Sequence, residues 1–366
     1  MYFYKGKIET SLVLLGFIAM VNFSCQNPKT EIPKAEEILK EELVDGNFPY
    51  QRLSTYGFFQ GDLKNLSPSS EVIFYQPASS LFTDYAQKSR FVWIPEEKKV
   101  KIESDELNLP LGSMLIKNFF YPEDFRKPNS TRKIIETRIM IHQENGWEAF
   151  PYVWNDTQTD AVLKIAGGKT TVAFTDQNGE DQIINYLIPN KNQCKSCHNK
   201  NEKLTPIGIS VAYLNTSLDE AGQKANQLEK WTELEKLEGF MGEENHPQMV
   251  NYEDKNQSLE LRARAYLDIN CAHCHRAEGP ASTSGLFLTY DESNLMKLGI
   301  RKTPVAAGAG AGNFTFDILP GKAEESILLH RMNSTEVGIA MPEIGRTTVD
   351  KEGIELISNW INSIQD

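Results

Sequence analysis

Two short stretches constrain this chain more than anything else in it. They are Cys194-Lys195-Ser196-Cys197-His198 and Cys271-Ala272-His273-Cys274-His275. Each reads C-x-x-C-H, the pattern of c-type haem attachment. The spacing has a chemical reason. Two thiols three positions apart can reach the two vinyl groups of one porphyrin. The histidine that follows then lies under the iron and offers it a nitrogen. A zinc ribbon also uses two C-x-x-C pairs, but with roughly 15–20 residues between them. Here the gap runs from Cys197 to Cys271, and zinc gives no reason for a histidine after each pair. A thioredoxin-like pair needs a βαβ context that the sequence lacks, and two short disulfides would leave both histidines unexplained. The expectation is two covalently bound haem c groups. Cys194, Cys197, Cys271 and Cys274 are the attachment thiols, and His198 and His275 are the proximal ligands. His273, inside the second motif, is read as pointing away from iron.

The chain has five cysteines, and the fifth speaks to location. Lys5 and Lys7 precede an apolar run from Leu12 to Phe23, followed by Ser24-Cys25. A run of about a dozen apolar residues suits a signal peptide and is too short for a membrane-spanning helix. A small residue before cysteine resembles a bacterial lipobox, although Asn22 stands where an apolar residue is usual. Cys25 is therefore the expected lipidation site, and the cell envelope the expected location. The net charge of −12 over 366 residues argues against nucleic acid, whose phosphates need a basic surface.

The expected organisation follows the change in texture along the chain. Residues 1–24 form the signal peptide and 25–46 a polar tether. Residues 47–188 form a β-rich domain, 189–257 a first haem module and 258–366 a second. In the β-rich domain, strand-like runs surround Asn145-Gly146, Gly167-Gly168 and Asn178-Gly179, all three read as hairpin signals. The fold class expected is α+β multidomain, with an antiparallel, sandwich-like N-terminal domain followed by a mainly α-helical region. Ser258–Asn270 is rich in helix formers. Ile354, Ile357, Trp360, Ile361 and Ile364 recur at helical spacing after an N-cap candidate, Asp350. Further helices are expected over Glu324–Met332 and Asn215–Gly239.

Distal ligands are less constrained. Met341-Pro342, in a loop before the last helix, is the candidate for the second iron, with Met332 and His330 as alternatives. For the first iron the candidates are Met241, His246 and Met249, with Met114 and His142 from the N-terminal region, or an open site. Arg262, Arg276, Arg331 and Arg346 are candidate partners for haem propionates. Gly308–Gly312 lacks the strand–helix context of a phosphate loop.

Several stretches carry a resemblance. They are Ser80–Lys88, Glu136-Thr137-Arg138 with Gly146-Trp147, Pro151–Asn155, Asn190–His198, Ala263–His275, Gly279–Gly285 and Met341–Gly345. In these the chain resembles the exported bacterial diheme c-type cytochromes long described as conserved hypothetical proteins. The resemblance implies an N-terminal non-haem domain and a C-terminal two-haem cytochrome c region. The function expected is membrane-anchored electron transfer between redox protein partners. A peroxidase-like diheme oxidoreductase with an open first haem is the alternative. A ligand-binding or sensory protein using the β domain is the third.

Overall fold

The computed structural model describes residues 48–127, 130–220 and 223–365. The segments expected as signal peptide and tether, with Cys25, lie outside the described residues. Asn47–Asp366 is one compact unit.

Its centre is a six-stranded antiparallel sheet. The spatial order is Ala161–Leu163, Gly146–Trp154, Arg132–Gln143, Met114–Pro122, Gln87–Trp93 and Val72–Tyr75. Neighbouring strands pair in sequence order apart from the insertion between Gln87–Trp93 and Met114–Pro122. That insertion carries a smaller sheet, in which Leu237–Glu238 runs parallel to Val100–Glu103 beside Glu106–Asn108. Asn145-Gly146 turns the strand Arg132–Gln143 back on Gly146–Trp154, with Gln143 opposite Gly146. Gly146 has φ +104°, a backbone conformation that a β-carbon would strain. Asn178-Gly179 likewise closes the separate hairpin Gly168–Thr175/Asp181–Ile188. Gly167-Gly168 does not close one. Ala161–Leu163 pairs back on Gly146–Trp154, so these glycines carry the chain away to the second hairpin.

Alternation along the strands gives the sheet two apolar faces, and both are covered. One face is buried with Leu53, Phe58, Ile116, Ile139, Phe150 and Tyr152. On the other, Tyr75, Val92, Leu115 and Met140 pack with Cys194, Val211, Leu228 and Trp231. The core therefore runs without a break from the sheet into the segment that carries the first C-x-x-C-H motif. Phe119, Tyr121 and Ile135 form a further core with Val172, Phe174 and Tyr186 of the second hairpin.

The expected fold class is corrected here. The protein is dominated by β-structure in several sheets, and residues 189–365 are not a mainly α-helical region. Their α-helices are Lys191–Cys197, Val211–Leu214, Gln227–Glu233, Leu259–Leu267, Ile327–Met332 and Lys351–Ser363, short pieces joined by long irregular segments. Composition explains this. Between the second motif and residue 322 stand Gly279, Pro280, Gly285, Gly299, Pro304, Gly308, Gly310, Gly312, Pro320 and Gly321, too dense a run of helix breakers for a helix to propagate. The helix expected over Asn215–Gly239 shrinks to Gln227–Glu233 because Ser217–Glu220 and Gln223–Asn226 pair as strands. Over Glu324–Met332 only Ile327–Met332 is α-helical. The sheet is also not one half of a conventional sandwich, since its second face packs largely on helices and loops of the C-terminal half.

Two helices follow their sequence signals closely. Ser258 caps Leu259–Leu267 by accepting from the Leu261 N–H. Asp350 caps Lys351–Ser363 by accepting from the Gly353 N–H at 2.9 Å. Their packing is close at Gly353, where a β-carbon would overlap the Tyr266 ring. The Tyr266 hydroxyl donates to Asp350 at 2.9 Å, tying the second helix's cap to the first helix. Ala263, Leu267, Ile357, Trp360 and Ile361 fill the seam.

Candidate functional site

Each motif is delivered to the site by a defined local structure. Asn190 closes a capping box with Gln193 and starts the helix Lys191–Cys197, which carries Cys194 and Cys197 on one side. The helix ends at His198, whose N–H still donates to the Cys194 carbonyl at 2.9 Å. The second motif leaves the helix Leu259–Leu267 through a wider π-turn, Asp268–Ala272. The His275 N–H then donates to the Cys271 carbonyl at 2.9 Å. The first and last residues of each motif are thus bound one helical turn apart.

The two motifs meet. Cys194, Cys197 and His198 line a cavity together with Cys271, His273, Met332 and Met341. The cavity holds about 1110 Å³ of unfilled space, part of it continuous with solvent. Leu81, Phe82, Leu187, Ile207, Ile344 and Ile354 make much of its wall apolar. Cys197 donates a hydrogen bond to Cys274, which raises the Cys197 pKa and lowers that of Cys274; burial also raises the former. Burial raises Cys194, and the nearby Arg138 partly offsets it. Burial pushes Cys271 up to about 12. Cys194, Cys197 and Cys271 are thus shifted toward the protonated thiol, and Cys274 is shifted the other way.

Both proximal-ligand candidates are held neutral, and His198 is held in one tautomer. The His198 Nδ1 lies 3.0 Å from the Thr205 carbonyl, so it carries the proton and leaves Nε2 with a free lone pair. Burial lowers the His198 pKa to about 3, with a further contribution from Lys117. His275 bonds the Leu286 backbone, and burial outweighs that contact to lower its pKa to about 4. A ring nitrogen fixed by a backbone carbonyl orients the other as a metal ligand. His275 is not on the cavity wall; its ring turns toward Ser284, with Nδ1 3.4 Å from Oγ.

Met341 lies on the wall, on a segment held by one guanidinium. Arg346 Nη2 donates to the carbonyls of Met332, Ser334 and Met341 at 3.1, 2.7 and 2.9 Å. The next turn is held from the sheet side. The Asp84 carboxylate accepts from the Thr347 and Thr348 N–H groups at 2.7 and 2.9 Å and from both hydroxyls at 3.0 Å.

The other distal candidates lie elsewhere. Met241 is exposed. The His246 ring stacks on Phe240, with Nδ1 3.0 Å from Asp105. Met249 is buried against Tyr213, Ala265 and Ile269. Met114 is in the core on the far face of the sheet, and His142 stacks on Trp147 while bonding the Leu109 carbonyl. Of the four arginines singled out as propionate partners, only Arg346 reaches the cavity. Arg262 instead bonds the Tyr252 carbonyl and Arg331 the Ile339 carbonyl.

Sequence reasoning missed Lys117, Arg138, Tyr266 and Asp350, which also line the cavity. A signal for the first two was present: they are charged residues at inward-facing positions of otherwise apolar strands.

No family model matches the chain, and neither a curated protein nor a solved structure matches it. Among the described residues, no three or more His, Cys, Asp and Glu side chains converge as a metal-binding group, and there is no helical cytochrome c region. The resemblance to the exported diheme cytochromes is therefore not upheld, and the chain is not assigned to that family. Among the described residues no helix is long and apolar enough to cross a membrane.

Proposed function

We propose that this chain is an electron-transfer protein of the cell envelope that carries two covalently attached c-type haems and is tethered to a membrane through a lipid on Cys25. The observation that carries this reading is that the first C-x-x-C-H motif and Cys271 of the second line one largely apolar cavity, with Cys197 and Cys274 in hydrogen-bond contact. A haem iron takes four ligands from its porphyrin, so its protein site needs one or two side chains and not a cluster of three or more. The donor set suits the group. Two pairs of thiols are spaced for thioether formation, and each is followed by a neutral imidazole: the His198 Nδ1 is tied to the Thr205 carbonyl, and His275 bonds the Leu286 backbone.

When bound, haem supplies a one-electron iron couple whose potential is set by axial ligand, burial and nearby charge. The protein's own residues do the rest. Thr205 and the Leu286 backbone fix the imidazoles. Leu81, Phe82, Ile207 and Ile344 give the cavity an apolar wall. Arg346 holds the backbone of Met341, the distal candidate on this wall. Contact between the two motifs supports electron exchange inside one chain, and the net charge of −12 favours redox partners that present basic patches.

A second reading, a peroxidase-like oxidoreductase with one open iron, is favoured by one observation: Met241, His246 and Met249 all lie away from the cavity wall. EPR of the purified full chain separates the two. Two low-spin haems without peroxide turnover support the carrier; a high-spin haem with peroxide turnover supports the enzyme.

A further inference from the structure

Three neighbouring strands of the central sheet carry basic residues at directly opposed positions. Arg90 pairs in register with Lys117, and Lys117 with Arg138. Lys88 lies two residues from Arg90 and so on the same face. Like charges opposed across strands cost stability, and these stand in a largely buried region. Burial lowers Lys88 to about 7 and Lys117 well below its ordinary value.

The carboxylates nearby are already engaged. Glu136, fully buried, is held by Arg138 at 2.5 and 3.0 Å and accepts from the Tyr186 hydroxyl at 2.6 Å. Asp84 accepts from Thr347 and Thr348. Asp350 is occupied by Gly353 and Tyr266. Glu253 acts on Lys88 only at longer range. The Lys117 ammonium rests 5.1 Å from the Phe119 ring centre, and the Arg138 guanidinium 4.2 Å. Arg90 reaches the Ser80 hydroxyl at 3.4 Å. Lys117 and Arg138 face the cavity beside Cys194, Cys197 and His198.

We propose that Lys117 and Arg138, with Arg90 behind them in the same cationic row, form a clamp for a carboxylate or similar oxyanion in this cavity, and that the group it takes is a propionate of the haem attached at Cys194 and Cys197. The second half rests on the function proposed above. The clamp gives the β-sheet a part in the site: it neutralises an anion that the apolar wall could not accommodate alone, and the anion in turn relieves repulsion along the cationic row.

The test uses the full chain matured with haem, as Lys117→Met and Lys117→Arg. The clamp predicts unchanged haem content in both. It also predicts a fall in one of the two reduction potentials in Lys117→Met equivalent to about tenfold in the reduction equilibrium, ~59 mV for one electron, and near-wild-type values in Lys117→Arg. Acetate and phosphate titrations of the wild type identify the source of the anion. No response alongside that potential shift assigns the clamp to propionate. A saturable spectral shift, lost in Lys117→Met, upholds the clamp with a diffusible oxyanion and overturns the propionate. Unchanged potentials together with no anion response overturn the clamp. If the wild type carries no covalent haem, the function reading fails by itself. Thermal stabilisation by acetate or phosphate, lost in Lys117→Met, then upholds the clamp, and its absence overturns it.

Discussion

Asp84 makes the most consequential contact between the sheet side and the segment that follows Met341. It is 2% exposed and accepts four hydrogen bonds from Thr347 and Thr348 at 2.7–3.0 Å. Its own carbonyl accepts from the Tyr121 hydroxyl at 2.6 Å. Asp84→Ala removes the acceptor and strands two backbone N–H groups. An unsatisfied buried donor costs about 1–3 kcal/mol. Asp84 also has φ +46°, which aspartate tolerates better than alanine does. Together these give a loss of about 3–5 kcal/mol, the range for breaking a buried charged network from one side. At roughly 2–4 °C per kcal/mol for a large domain, the melting temperature falls by on the order of 10 °C. Asp84→Asn keeps one oxygen and the backbone tolerance and loses about 1–2 kcal/mol, the scale of one charge-assisted bond. Thermal and urea unfolding of the haem-loaded chain read the loss. The visible spectrum of the same samples reads ligation, where Asp84→Ala is expected to loosen the Met341 side and raise the high-spin fraction. A loss below ~1 kcal/mol with an unchanged spectrum would refute the idea that this carboxylate positions the segment.

Other outcomes follow from the same geometry. Met341→Ala should turn one haem high-spin or give it a new ligand, seen by absorption and EPR; an unchanged spectrum removes Met341 from the site. His198→Ala should leave covalent attachment through Cys194 and Cys197 but change the spectrum of one haem alone, so that simultaneous change in both would contradict separate proximal ligands. Gly353→Ala, although favoured by about 1 kcal/mol of helix propensity, should destabilise by about 1–3 kcal/mol because the new methyl overlaps Tyr266; added stability would show that the two helices separate freely. Ile139→Ala, at a fully buried position in the sheet, should cost about 2–5 kcal/mol and leave the visible spectrum unchanged.

What the sequence made legible was local. Asn145-Gly146 and Asn178-Gly179 announced their hairpins because a tight turn depends on the residues within it. Ser258 and Asp350 marked helix starts because an N-cap is a contact within one turn. What failed was non-local. The short apolar runs after residue 276 do not say whether they pack as helix or as loop, and the breakers among them decided for loop. Ser217–Asn226 paired as strands although the surrounding composition favours helix. Lys117 and Arg138 were hidden because one strand does not reveal which face its neighbours will cover, nor that a thiol motif far along the chain will pack on that face. The resemblance failed in the same way: short stretches such as Met341–Gly345 and Ala263–His275 leave the architecture open.

The central claim is that both motifs carry covalent haem. The direct test is the haem content of the full chain produced in a host with c-type haem maturation, measured under denaturing conditions and beside Cys194→Ser/Cys197→Ser and Cys271→Ser/Cys274→Ser. The account predicts two haems per chain in the wild type and one in each double variant. A wild-type chain that retains no haem after denaturation would contradict it.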